Sequence, residues 1–147
     1  PKIIISGMRH FECCPDLEGN FVAGKSTVIL KSKEDEDLRI ALAILNSALI
    51  SFYINESFGA LGIDGGINFT AGMVESLPFP DEKKLSKQMV VLVDKILKIV
   101  SEYNYLKNSD GQAKVRDYEK QIDQLVYKLY TLTPEEIKII EDNSKQQ

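Results

Sequence analysis

Apolar residues change their period along this chain. Up to about residue 80 they come in short runs between turns, and beyond it they recur at helical spacing. Residues 3–6, 21–23 and 27–30 are rich in β-branched and aromatic side chains, with a Pro15-Asp16-Leu17-Glu18-Gly19-Asn20 turn between the first two. They predict strands of one small mixed sheet. Residues 38–55 are apolar on nearly every side (Ala41, Leu42, Ile44, Leu45, Leu49, Ile50, Phe52, Tyr53), as expected of one buried helix whose start Asp37 caps. The glycine-rich run 59–66 predicts a loop leading into a short strand at Ile67-Asn68-Phe69.

Leu77-Pro78-Phe79-Pro80 fits neither a helix interior nor a central strand and marks a boundary. After it, Leu85, Met89, Leu92, Val93, Ile96, Val100 and Tyr103 share one helical face, and Ile122, Leu125, Val126, Leu129 and Tyr130 another. Two long amphipathic helices joined near Asn108-Ser109-Asp110-Gly111 follow from that spacing. Thr133-Pro134-Glu135-Glu136 is a capping box opening a short last helix through Ile140, with residues 143–147 as a frayed tail. The expected fold is α+β (mixed α/β): an α/β part over residues 1–80 and a helical region over 81–147.

With 44% hydrophobic residues in 147, the chain can bury a real core. It begins at Pro1 and enters the Lys2-Ile3-Ile4-Ile5 run at once, which suggests a segment of something longer. No apolar run reaches the roughly 18 residues of a membrane span, and no secretory signal pattern is present, so a cytoplasmic location without a membrane is expected. Cys13 and Cys14 are adjacent, a poor arrangement for a disulfide, and are read as reduced thiols. The net charge of −4 runs against phosphate binding. The deficit is local: residues 1–80 hold 6 Lys/Arg against 10 Asp/Glu, four of them in Glu34-Asp35-Glu36-Asp37, while residues 81–147 balance at 12 against 12.

The sharpest local motif is Gly19-x-x-x-x-Gly24-Lys25-Ser26, a literal Walker A match, with Val90-Val91-Leu92-Val93-Asp94 as a matching acidic strand. A phosphate cradle needs a buried strand before the glycines and a helix straight after Lys-Ser. Here a turn precedes and a β-branched run follows, and residues 90–94 sit inside a helical pattern. His10, Cys13 and Cys14 fall one ligand short of a closed zinc site, so both cysteines read as small hydrophobes. His10 has no partner nucleophile near it in sequence, and the acidic run lacks the ligand spacing of a calcium loop. The Tyr103/Tyr105 and Tyr127/Tyr130 pairs keep helical spacing and read as core packing.

Four ordered segments carry a resemblance: Pro1-Lys2-Ile3-Ile4, Leu45-Asn46-Ser47, Leu77-Pro78-Phe79-Pro80, and Ile122-Asp123-x-Leu125-Val126-Tyr127-x-Leu129-Tyr130-x-Leu132-Thr133-x-Glu135-Glu136-Ile137. Together they resemble the TaqI-like C-terminal specificity domain of N6-adenine DNA methyltransferases and type IIG restriction-modification enzymes. The resemblance implies a target-recognition domain over residues 1–80, a helical region after it, double-stranded DNA as ligand, and an N-terminal methyltransferase domain of the parent chain as partner. It places S-adenosylmethionine and the chemistry in that other domain. No Asn/Asp-Pro-Pro-Tyr/Phe motif occurs here, so this chain is expected to hold no cofactor and to lack activity by itself.

Base reading needs polar side chains on loops held by a rigid scaffold. The candidates are Arg9 and His10 after the first strand, Lys25, Ser26 and Thr27 in a turn between strands, and Asn68 at the exit of the glycine-rich run. Arg9 suits guanine O6 and N7, and Lys25 a phosphate. Three alternatives stand beside this reading: a specificity subunit of a type I-like system, a P-loop nucleotide-binding protein using residues 19–26, and a protein-interaction module docking through its helical faces.

Overall fold

The computed structural model describes residues 1–59, 67–80 and 86–144. Its centre is strand β1 (Lys2–Ser6), along which Ile3 and Ile5 are fully buried and their neighbours half-buried. That alternation is the period of a strand with one face on a core. β1 pairs antiparallel with β3 (Cys13–Asp16) on one side and with β4 (Thr27–Leu30) on the other, in the order β3-β1-β4. Between β1 and β3, β2 (Met8–Arg9) pairs with β5 (Ile67–Asn68) as a separate two-stranded ribbon.

Four strand expectations change. Among the described residues the strands pair antiparallel throughout and are not mixed, and they form two sheets rather than one. Pro15 and Asp16, expected in a turn, end β3; an edge strand tolerates a proline because one row of its backbone groups has no ladder partner. Residues 21–23 are not a strand. The Phe21 N–H donates to the Asp16 carboxylate at 3.0 Å and Val22 is 98% exposed, so β-branched character there has no face to bury.

The single helix expected over 38–55 is two helices, α1 (Asp35–Leu45) and α2 (Ala48–Phe58), meeting at 58°. Asn46 and Ser47 make the break. The Asn46 side chain accepts from the Cys13 N–H at 3.0 Å and donates to the Cys13 carbonyl at 2.9 Å, tying the end of α1 to β3. Ser47 is extended at φ −72°, ψ 156°; its hydroxyl donates to the Ile44 carbonyl at 2.7 Å and accepts from the Ile50 N–H at 3.3 Å, capping α2. Glu34, not Asp37, occupies the cap position of α1. Asp37 lies in the first turn, where its carboxylate accepts from the Ser32 hydroxyl at 3.2 Å and faces the positive end of the helix.

A one-turn helix, α3 (Ala71–Glu75), capped by Thr70, follows β5 and was not expected. The proline-rich boundary then leads to α4 (Ser86–Val100), a 3-10 turn (Tyr105–Lys107), α5 (Ser109–Leu129) and α6 (Pro134–Ser144). The expected joint at 108–111 opens α5 instead, since the Asn108 side chain accepts from the Gly111 N–H at 2.9 Å. The capping box of α6 forms both ways: Thr133 N–H donates to the Glu136 carboxylate at 2.7 Å and Glu136 N–H to the Thr133 hydroxyl at 3.3 Å. That helix continues past Ile140 to Ser144, so residues 143 and 144 are helical and not a frayed tail. The glycine-rich positions 60–66, the expected helix start at 81–85 and the end of the tail at 145–147 lie outside the described residues.

The fold is α+β, and one core runs through it. Ile3, Ile5, Leu38, Ile44, Leu45 and Ile50 from the first eighty residues pack in the same cluster as Met89, Val93, Ile122 and Val126 from the helical region. α1 is the middle layer, lying between the sheet and α4, which packs in turn on α5. Among the described residues no single helix is long and apolar enough to cross a membrane.

Candidate nucleic-acid interface

Gly7 sits at the joint between β1 and β2. Its N–H donates to the Ser26 carbonyl at 3.0 Å and its carbonyl accepts from the Phe69 N–H at 2.9 Å. A Cβ at this position would meet the Ser26 carbonyl oxygen at 2.4 Å, so only glycine lets the three backbones approach this closely. Around it, Thr27 stands opposite Ser6 in the β1–β4 ladder, and Met8 stands opposite Asn68, Arg9 opposite Ile67, in the ribbon. The segments 6–10, 25–27 and 67–69, distant in sequence, therefore form one cluster. Every sequence-predicted contact residue belongs to it.

Four of those residues, His10, Lys25, Ser26 and Asn68, are exposed, and Thr27 is half-buried. Arg9 is placed by its backbone on β2. The platform beneath is well tied. The Thr27 hydroxyl donates to the Gly24 carbonyl at 2.7 Å and closes the Lys25-Ser26 turn; the Ser6 hydroxyl donates to the Met8 carbonyl at 2.9 Å. Phe69, 6% exposed, meets Phe11 edge-to-face with ring centres 5.1 Å apart, clamping both strands of the ribbon onto the core.

Gly7 and Met8 are among the cluster residues that sequence reasoning missed. Gly7 carried a signal, a lone glycine between two β-like runs. Met8 carried none, because half-exposed methionine (52%) looks like ordinary core filling until its partner Asn68 is known.

The loop from β3 to β4 is anchored by Asp16, a buried carboxylate bound by the Lys2 ammonium and by the Asn20 and Phe21 N–H groups at 2.8 and 3.0 Å. The Lys2 hydrogen bond, helped by those two N–H groups, holds its carboxyl down at about 2. Phosphate-cradle geometry is absent from this loop. Lys25-Ser26 is a turn running into strand β4 where a helix N-terminus would be required, and residues 90–94 lie on α4, with Asp94 paired to Arg39 at 2.6 Å.

Burial pushes the Cys13 thiol up to about 12, an inert protonated group, while Cys14 is exposed. Of the four tyrosines read as core, Tyr127 is buried and Tyr130 half-buried, and burial raises both hydroxyls to about 12. Tyr103 is instead fully exposed.

Three of the four segments that carry the resemblance contribute to hydrogen bonds between elements, away from this cluster. Asn46 ties α1 to β3, the neighbour of β1; the Asp123 carboxylate on α5 accepts from the Ala48 N–H at the start of α2 at 2.8 Å; and the Tyr130 hydroxyl donates to the Pro78 carbonyl. A cavity of about 390 Å³ opens beside the Asp123 joint, with Glu119 one helical turn away. Burial, and for Glu119 the neighbouring Asp123 charge, raise both carboxyls above the ordinary range.

No family model matches the chain, and no curated protein matches it either.

Proposed function

We propose that this chain is a DNA target-recognition module whose reading surface is the cluster around Gly7, and that methylation of adenine, with its S-adenosylmethionine, belongs to an N-terminal domain of the parent enzyme. One observation carries the reading: three sequence-distant polar segments, each read as a loop or turn bearing polar side chains, are brought together by backbone pairing, with His10, Lys25, Ser26 and Asn68 exposed. Base readout requires that combination, because a contact that wanders by an ångström loses its discrimination. The resemblance of the four segments supports the same conclusion from other residues.

In this reading Lys25 and Ser26 meet phosphate at the tip of the turn, and the ribbon carrying Arg9 and Asn68 enters a groove wide enough for a two-stranded β element. The protein positions the duplex and supplies no reacting group.

The test is to express the full-length parent protein with S-adenosylmethionine and map methyladenine on plasmid DNA. Methylation confined to one sequence, relaxed at a single position by Arg9→Ala, is the expected result. Methylation that is absent, or whose sequence and rate are untouched by substitutions at Arg9, Lys25 and Asn68 together, overturns the assignment.

A further inference from the structure

Within the ribbon, Met8 and Asn68 are direct cross-strand partners. Residues opposite each other in an antiparallel pair project to the same face, their Cβ atoms about 5 Å apart. Both are exposed, so that face presents one carboxamide beside one thioether. The Asn68 amide makes no hydrogen bond among the described residues, which leaves its oxygen and its NH2 both available.

A carboxamide offering both groups matches one base edge in the major groove. It donates to adenine N7 and accepts from adenine N6, while the thymine of the same pair contributes a C5-methyl group that an apolar side chain covers. Guanine presents two acceptors there and would leave the amide oxygen facing another oxygen; cytosine has no methyl for Met8 to cover. Both side chains spring from fixed backbone. The Met8 carbonyl is bound by the Ser6 hydroxyl, and Asn68 is followed directly by Phe69, which is buried on Phe11 and hydrogen-bonded to Gly7.

We infer that the Met8–Asn68 pair reads a single A·T base pair in the recognised site, Asn68 holding the adenine edge and Met8 the thymine methyl. This pair is distinct from the adenine that is flipped out for methylation. The inference rests on the DNA-recognition reading above.

The experiment uses the full-length parent protein and short duplexes carrying the methylated sequence found by mapping. Asn68→Ala is expected to make one A·T position degenerate, lowering discrimination there about tenfold or more, with every other position kept. At that position, 7-deazaadenine should slow the wild-type protein and not Asn68→Ala. Deoxyuridine in place of thymine should slow the wild-type protein about fourfold, the worth of one buried methyl-sized group, and should not slow Met8→Ala. The paired losses of sensitivity are a readout that a merely destabilised variant does not give.

If mapping finds no sequence-selective methylation, the DNA-recognition reading fails. If a methylated sequence exists but Asn68→Ala degrades no A·T position, or degrades a G·C position, that reading stands and the Met8–Asn68 assignment is overturned. Equal deoxyuridine sensitivity of wild type and Met8→Ala overturns the thymine-methyl half.

Discussion

At the level of single residues, the strongest constraint in the cluster comes from a missing side chain. Gly7 has Ser26 backbone where a Cβ would lie, at 2.4 Å, and backbone cannot swing aside as a flexible side chain can. Gly7→Ala should therefore lower unfolding stability by about 1–3 kcal/mol, the usual cost of overpacking, as read by urea denaturation. It should also weaken DNA selectivity more than that loss explains, because the Lys25–Ser26 turn and the ribbon are displaced together. Two aspartates respond to pH in opposite directions. Asp16 is held down at about 2 against an ordinary 3.8, so its contribution is complete above pH 4 and is lost as pH falls through 2. Asp123 is raised, mainly by burial, so its ionisation disfavours the fold: stability is highest below the ordinary value and declines as pH rises through the folded one. Asp16→Asn should destabilise at pH 7 with a penalty that shrinks toward pH 2. Asp123→Asn keeps an oxygen for the Ala48 N–H and should be more stable relative to wild type at pH 7 than at pH 4. Denaturation curves at pH 3, 4, 5 and 7 for the three proteins check both signs. Neither pH response was readable in the sequence, where Asp16 looked like a turn residue and Asp123 was one position of a helical segment with no sign of its burial.

At the level of elements, what sequence conveyed well was periodicity and what it conveyed badly was direction. The strand at Ile3 and Ile5, the two long helices and the Thr133/Glu136 capping box all depend on local spacing and are present, although α4 ends at Val100, short of the expected Tyr103. The break between α1 and α2 does not. Residues 38–55 are apolar around the whole helix, so nothing in their pattern changes at the bend; the only trace is Asn46-Ser47, two polar residues in an apolar run, whose partners lie on β3 and within α1. Residues 21–23 failed for the converse reason, having strand-like chemistry in a place where the chain offers no ladder. Asn46 serves a backbone donor and acceptor at once, and Asn46→Ala leaves both on Cys13 without this partner. A loss of about 1–3 kcal/mol is expected by urea denaturation, against about 1 kcal/mol for Tyr130→Phe, which removes a single hydroxyl from the Pro78 carbonyl. Equal effects for the two would mean that the α1–β3 joint is no more than one ordinary hydrogen bond.

At the level of the whole molecule, the core and the charge point to different kinds of dependence. The sequence suggested an α/β part and a helical part, and their apolar residues form a single cluster in which α1 touches both the sheet and α4. The candidate DNA surface therefore shares its core with the helical region, and a substitution there that is not part of the cluster, such as Val126→Ala at a fully buried site, should lower stability without altering the recognised sequence. Charge gives the opposite picture. The candidate cluster was legible as a set of polar loop residues, but the strength of the proposed DNA contact was not, because it depends on the number of phosphates neutralised and this chain carries a net −4. Of the residues described in the cluster, Lys25 is the exposed ammonium, on a turn fixed by Thr27 and Gly7. On the DNA-recognition reading proposed above, a chain of net charge −4 gains little from counterion release, so binding should be weak alone and tight only together with the proposed methyltransferase domain. By fluorescence anisotropy with a duplex containing the methylated site, the isolated chain should bind weakly and with little preference over an unrelated duplex. For the full-length protein, Lys25→Ala should weaken binding to all sequences alike and reduce the slope of log K against log salt by about 1, whereas Asn68→Ala should leave that slope unchanged. Tight, selective binding by the isolated chain would show that this surface carries its own phosphate grip, and a Lys25→Ala slope equal to wild type would move the phosphate contact to another residue.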